Sequence, residues 1–175
     1  MEDKPLERAL LISQEKIQGR VKEIAAQISS DYEGEDVVLI GVLNGAVFFL
    51  ADLAREITIP VRIDFMRAAS YGSRQTSSGK VQLTKDVEIP LRDRSVILVE
   101  DIVDTGLTLS HIIEDLKGKG PRSLKTCVLI DKLERREIHV SIDYCGFRVE
   151  EGFLVGYGLD FDEQYRNLPD IHVLK

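Results

Sequence analysis

Three short apolar runs limit what this chain can fold into. "DVVLIGVL" (residues 36–43), "VILV" (96–99) and "LKTCVLI" (124–130) are continuous rather than alternating. Each has the length and character of a strand buried on both faces. Helical patterns separate them. Ser13 is placed to cap a helix whose Ile17, Val21, Ile24 and Ile28 form one apolar stripe. "NGAVFFLADLARE" (44–56) reads as a turn and then a helix, with Val47, Leu50 and Leu53 facing inward. A helix over 107–117 would bury Leu109, Ile112, Ile113 and Leu116 and end at Gly118, Gly120 and Pro121. "VRIDFM" (61–66) alternates as a strand does, and another strand is expected around 81–83. Between them "ASYGSRQTSSGK" (68–80) has no periodicity and predicts a mobile loop. Buried strands alternating with helices predict an α/β fold with a mainly parallel central sheet flanked by helices.

At 175 residues, with no repeat or linker, the chain reads as one domain spanning 1–175. No apolar run is long enough to cross a bilayer. The start, "MEDKPLERALLIS", is too charged for a secretory signal, so a cytoplasmic location is expected. Cys127 and Cys145 lie in strand-like contexts and are expected reduced and packed. No Cys/His spacing points to zinc. The formal net charge of −7 argues against a broad nucleic-acid surface. A phosphate ligand would have to be held locally, by amides, a metal or a few placed cations.

The stretch "VILVEDIVDTGLTLS" (96–110) carries the chemistry. Ligands of open parallel sheets sit at the carboxyl ends of the strands, and Glu100, Asp101 and Asp104 fall there, as do the turn after Leu43 and the pair Asp131–Lys132. In the Asp104-Thr105-Gly106-Leu107-Thr108 turn, backbone N–H groups should converge at a helix N-terminus, where the dipole favours an anion. Thr105 and Thr108 add hydroxyls, and Gly106 lets the backbone come close. Carboxylates beside a phosphate would repel it. They make sense as ligands for ribose hydroxyls or for a magnesium ion accompanying a pyrophosphate. The plainer alternative is two solvated strand-end acids with Asp104 as a helix N-cap.

This stretch closely resembles the 5-phosphoribosyl-1-pyrophosphate (PRPP) motif of type I phosphoribosyltransferases. "GVLNGAVFF", "ASYG…TSSG", "LIDK" and "GFLVGYGLDFDEQYRNLP" resemble, in the same order, segments of the hypoxanthine-guanine phosphoribosyltransferase family, so the likeness spans nearly the whole chain. It implies that fold, with a small hood and a flexible active-site loop. It also implies an enzyme of purine salvage: hypoxanthine or guanine plus PRPP gives IMP or GMP plus pyrophosphate, with Mg2+ as cofactor.

By the same resemblance, Glu100 and Asp101 would hold the ribose hydroxyls, directly or through magnesium, and Asp104, Thr105, Gly106, Leu107 and Thr108 would cradle the 5-phosphate. Asp104 would also face the purine N7 and take its proton, Lys132 would donate to O6, Phe153 would stack on the ring, and the Leu154 backbone would pair with its edge. Leu43, Asn44 and Gly45 would form the pyrophosphate loop, whose Leu43–Asn44 peptide is often cis in the family. Arg166 would meet the leaving pyrophosphate, Asp160 a second magnesium, and Ser70 and Tyr71 would belong to a lid. Many members carry lysine where this chain has Asn44, so a cation expected near the pyrophosphate is missing. Members are homodimers or homotetramers.

Taken alone, Lys132 would read as a surface lysine paired with Asp131, Phe153 as core, and Asp160 and Arg166 as ordinary loop charges. His111, His139 and His172 fit no motif and read as structural. Two other functions stay in play. A nucleic-acid-binding regulator on the same scaffold would need a basic face, which the net charge disfavours. A magnesium phosphatase of the DxD type needs its acids two apart, whereas Asp101 and Asp104 are three apart.

Overall fold

The computed structural model describes residues 7–70 and 81–175. Its core is a six-stranded sheet in the order β4-β3-β2-β5-β6-β7. The strands are β2 (Val37–Val42), β3 (Val61–Ser70), β4 (Val81–Lys85), β5 (Ser95–Val103), β6 (Ser123–Lys132) and β7 (Tyr144–Val149). All neighbours run parallel except β3 and β4. Helices α1 (Gln14–Asp31), α2 (Val47–Glu56) and α3 (Leu107–Gly118) flank the sheet. A separate antiparallel sheet, β1 (Arg8–Ile12), β9 (Ile171–Leu174) and β8 (Phe153–Val155), forms the hood.

The apolar runs are buried strands for the expected reason. Side chains alternate along each strand and feed two cores. Leu39, Ile97, Val99, Cys127 and Leu129 pack on the α1/α2 side. Val38, Ile40, Val96, Leu98 and Val128 pack on the α3 side. Ser13 caps α1, accepting from the Lys16 amide at 3.5 Å, and Ile17, Val21, Ile24 and Ile28 are buried.

Several boundaries differ from expectation. Residues 68–70 continue β3 and pair with β4, so they are strand rather than loop; the rest of the expected loop, with Tyr71, lies outside the described residues. In α2 the deeply buried side chains are Phe49, Leu50 and Leu53, while Val47 is only half-buried. Ile113 of α3 is likewise half-buried. β5 and β6 run past their apolar segments, to Val103 and Lys132, so Glu100, Asp101 and Lys132 sit on strand, while Asp104 directly follows β5. Both cysteines are free. Among the described residues no helix is long and apolar enough to cross a membrane.

Candidate active site

The site lies at the carboxyl ends of β2, β5 and β6. Adjacent residues on a strand point to opposite faces, so Glu100 and Asp101 part company. Glu100 follows Val96 and Leu98 to the α3 side and lines a cavity of about 110 Å3 with Ile102, Val103, Asp104, Thr105, Gly106, Thr108 and Leu109. Asp101 follows Ile97 and Val99 to the other side. There it meets the turn after β2 and lines a second cavity, of about 210 Å3, with Asp104, Lys132, Arg135, Phe153, Leu154, Leu159 and Asp160. Asp104 belongs to both cavities.

The first cavity is lined by the residues expected to form a cradle. Gly106, not Asp104, is the N-cap of α3, with φ +87°, and the helix opens with Ser110 N–H donating to Gly106 O at 2.9 Å. A Cβ on Gly106 would lie 2.4 Å from the Ile138 carbonyl oxygen, so both conformation and space require glycine. Thr105 is held from two directions. Its Oγ1 accepts from Leu107 N–H at 3.3 Å, and its carbonyl accepts from the Glu137 and Ile138 amides at 2.9 and 3.0 Å.

On the other face, Gly45 is packed against Asp101. A Cβ at Gly45 would fall 1.8 Å from Asp101 Oδ2, and one at Gly158 would fall 2.0 Å from the Gly45 carbonyl oxygen. The Leu43–Asn44 peptide is cis, and Asn44 is exposed. Asp160 and Arg166 form an ion pair at 2.9 Å, and Arg166 also donates to Gly158 O at 2.8 Å. Burial and the adjacent Asp101 push Glu100 well above the ordinary glutamate range. Burial also raises Asp101, against a smaller downward pull from Arg166.

In the second cavity, Lys132 is buried, and its partner is not Asp131. Its ammonium lies 3.2 Å from Glu134 and 3.9 Å from Asp104. Asp104 Oδ1 is shielded from solvent and accepts no hydrogen bond, while Oδ2 lies 3.4 Å from Arg135. Phe153 is half exposed and packs edge-to-face on Phe161, centroids 5.4 Å apart, leaving a face free for a flat ligand. Leu154 is buried behind it. Ser70 ends β3; Tyr71 lies outside the described residues.

The sequence reading missed the segment after β6. Arg136 donates to Asp104 O at 3.0 Å, Val103 O at 3.1 Å, Lys132 O at 3.0 Å and Asp131 Oδ1 at 2.5 Å. It thereby fastens the end of β5 to the end of β6. From the same segment Glu134 pairs with Lys132, and Arg135 pairs with Asp104 and lines the second cavity. The available signal was a pair of adjacent arginines just past a strand end in an acidic chain.

Comparisons with known proteins bear on the family and the fold. The family described as "Phosphoribosyl transferase domain" matches residues 11–162. A hypoxanthine-guanine phosphoribosyltransferase of Aquifex aeolicus is 46% identical over 167 residues, covering 95% of this chain and 94% of that protein. The hypoxanthine phosphoribosyltransferase of Escherichia coli is 42% identical over 164 residues, covering 93% of this chain and 92% of that protein. A crystal structure of a Bacillus anthracis hypoxanthine-guanine phosphoribosyltransferase, with a HEPES molecule in its active site, superposes with a TM-score of 0.92 at 45% identity and covers 98% of this chain and 100% of its own.

Proposed function

Because the chain belongs to the phosphoribosyl transferase family, and within it to the hypoxanthine-guanine phosphoribosyltransferases, we infer that it transfers the 5-phosphoribosyl group of PRPP to N9 of hypoxanthine or guanine. The products are IMP or GMP and pyrophosphate, and the role is purine salvage. The observation that carries this reading is the position of Asp104. One carboxylate borders both the phosphate cradle and the base cavity, and one of its oxygens is buried without a donor.

The chain's residues divide the work as follows. The amides of residues 104–108 and the hydroxyls of Thr105 and Thr108 take the 5-phosphate at the helix N-terminus. Phe153 stacks on the purine, the Leu154 backbone pairs with its edge, and Lys132 donates to O6. A 6-amino group in place of O6 would leave the buried ammonium unpaired, which favours 6-oxopurines. The N9–C1′ bond forms as the bond from C1′ to the pyrophosphate oxygen breaks. The purine proton passes to Asp104 Oδ1 at N7, and the carboxylate stabilises positive charge developing nearby. The Leu43–Gly45 turn and Arg166 face the pyrophosphate.

Magnesium fits the donor set. Among the described residues no cluster of three or more His, Cys, Asp or Glu forms a closed metal cage. Magnesium prefers one or two carboxylates completed by substrate oxygens and water. Glu100 and Asp101 would hold one ion, directly or beside the ribose hydroxyls, and Asp160 would meet a second, and the two ions would supply charge neutralisation to the pyrophosphate. The enzyme in this reading is cytoplasmic, works as a single unit over 1–175, and assembles as a homodimer or homotetramer.

Mixing the protein with hypoxanthine, PRPP and magnesium should yield IMP; no product with any 6-oxopurine would overturn the assignment. Asp104→Asn should lower turnover by about 10²–10⁴-fold, the usual scale of general-base assistance, while PRPP binding is largely kept. Unchanged turnover would remove Asp104 from the chemistry.

A further inference from the structure

We propose that Glu134 is a positioning residue that joins the two elements reading the purine, the O6-facing ammonium of Lys132 and the turn that carries Phe153. The proposal rests on the reading of the base cavity given above. A single oxygen, Glu134 Oε2, lies 3.2 Å from Lys132 Nζ and accepts the Gly152 amide at 3.3 Å. Gly152 has φ +112° and directly precedes Phe153 and Leu154. Glu134 is itself fixed. Its amide donates to Glu150 O at 3.0 Å and the preceding Leu133 amide donates to Val149 O at 3.1 Å, which extends the pairing of β6 with β7 beyond the sheet.

The arrangement has a consequence during turnover. Lys132 is flanked by two carboxylates, Asp104 at 3.9 Å and Glu134 at 3.2 Å. Asp104 is engaged with purine N7 when the base is bound. Glu134 is then the carboxylate left to hold the ammonium, whose remaining N–H groups are free to meet O6. An ammonium on a four-carbon stem has no preferred direction of its own, so an anchored counter-charge sets its aim. The same oxygen keeps the Gly152 turn, and with it the face of Phe153, at a fixed distance from that ammonium. The Lys132 charge and the Gly152 amide both hold the Glu134 carboxyl below the ordinary range, in keeping with a permanently ionised anchor.

The role predicts a split between the two substrates. Glu134→Gln keeps an acceptor for Gly152 but loses the charge on Lys132; an ion pair exposed on one side is worth a base KM rise of about two- to fivefold. Glu134→Ala loses both contacts and should raise it about tenfold, the effect of one net hydrogen bond at 1.4 kcal/mol. In both variants the KM for PRPP should stay within about twofold of wild type, since uniform loss of ground-state base binding leaves the other substrate untouched. The ratio of kcat/KM for hypoxanthine to that for adenine should fall, and GMP should bind more weakly by calorimetry. A base KM unchanged in Glu134→Ala, or KM values for base and PRPP rising together, would overturn the proposal. Should the alanine variant melt early, the isosteric glutamine decides alone. Active wild type with an unshifted glutamine variant refutes only the role of Glu134, whereas wild type that neither turns over nor binds GMP refutes the reading beneath it as well.

Discussion

Replacing Arg136 with methionine should destabilise the fold and loosen both halves of the site at once. The side chain is 17% exposed, and its partner Asp131 is 10% exposed. Methionine keeps much of the apolar stem but strands a buried carboxylate and removes the donors to three carbonyls, at Val103, Asp104 and Lys132. Removing one member of a buried pair costs about 3–5 kcal/mol. Arg148, 3.7 Å from the other Asp131 oxygen but 77% exposed, softens the loss, so the low end, about 3 kcal/mol, is expected. For a chain of this size each kcal/mol moves Tm by about 2–4 °C, which gives a fall of about 6–12 °C. Thermal unfolding followed by circular dichroism reads this directly. The matching control is Asp131→Asn combined with Arg136→Met. With the stranded charge neutralised, the double variant should be more stable than the sum of the singles, by about 0.5–3 kcal/mol. A fall in Tm below about 2 °C, or strict additivity, would refute the view that Arg136 clasps the ends of β5 and β6.

Two further outcomes follow from the pyrophosphate side. Gly45→Ala places a Cβ 1.8 Å from Asp101 Oδ2, so it should raise the KM for PRPP at least about tenfold and cost about 1–3 kcal/mol of stability by overpacking; steady-state kinetics with the melting curve checks both, and normal values for the two would be inconsistent with the contact. Glu100→Gln should stabilise the free protein while weakening PRPP binding. Glu100 is raised above its ordinary 4.5 in the fold, so the stability of its neutral form is fully present below that value and lost as pH rises through the folded value. The variant should therefore match wild type near pH 4 and melt higher near pH 8, and a lower Tm at pH 8 would contradict the burial of the charge.

The part of this site that rests on periodicity was legible in the sequence. Continuous apolar runs located β2, β5 and β6, and the acids that follow them fell at the ends where such sheets bind ligands. The strands ran further than polarity allowed, because β5 and β6 keep pairing through Val103 and Asp131 whatever their side chains are. In α2 the expected Leu50 and Leu53 are buried, but the stripe continues through Ala46 and Phe49 at helical spacing rather than through Val47. The hood strands left little trace, since β1 pairs with β9 from the opposite end of the chain. Glu134 and Arg136 were missed for another reason. Each joins a near neighbour, Lys132 or Asp131, to a distant segment: Glu134 to the Gly152 amide and Arg136, 32 residues back, to Asp104 O. No local pattern encodes the distant half of such contacts.

The strand order itself fixes the spacing of the chemistry. β2, β5 and β6 are neighbours, and each delivers one part of the site from its carboxyl end: the Leu43–Gly45 turn, the acids with the cradle, and Lys132. Parallel strands lie about 4.8 Å apart, so the Leu43–Gly45 turn and Lys132 are separated by two spacings, about 10 Å. In the proposed reaction a ribose ring with its 1-substituents would span such a gap. β5 outruns β2 here: Gly41 pairs with Val99, while β5 still pairs with β6 at Val103 and Asp131. That overhang lets Asp101 meet Gly45 on one flank and Asp104 meet Lys132 on the other. The distance between the Leu43–Gly45 turn and Lys132 is therefore a property of the hydrogen-bonded sheet, anchored by Val96, Ile97, Leu98 and Val99, none of which is exposed. Substitutions in the loops can change the side chains around the site, but bringing the Leu43–Gly45 turn and Lys132 closer would require a change of register in the central strand.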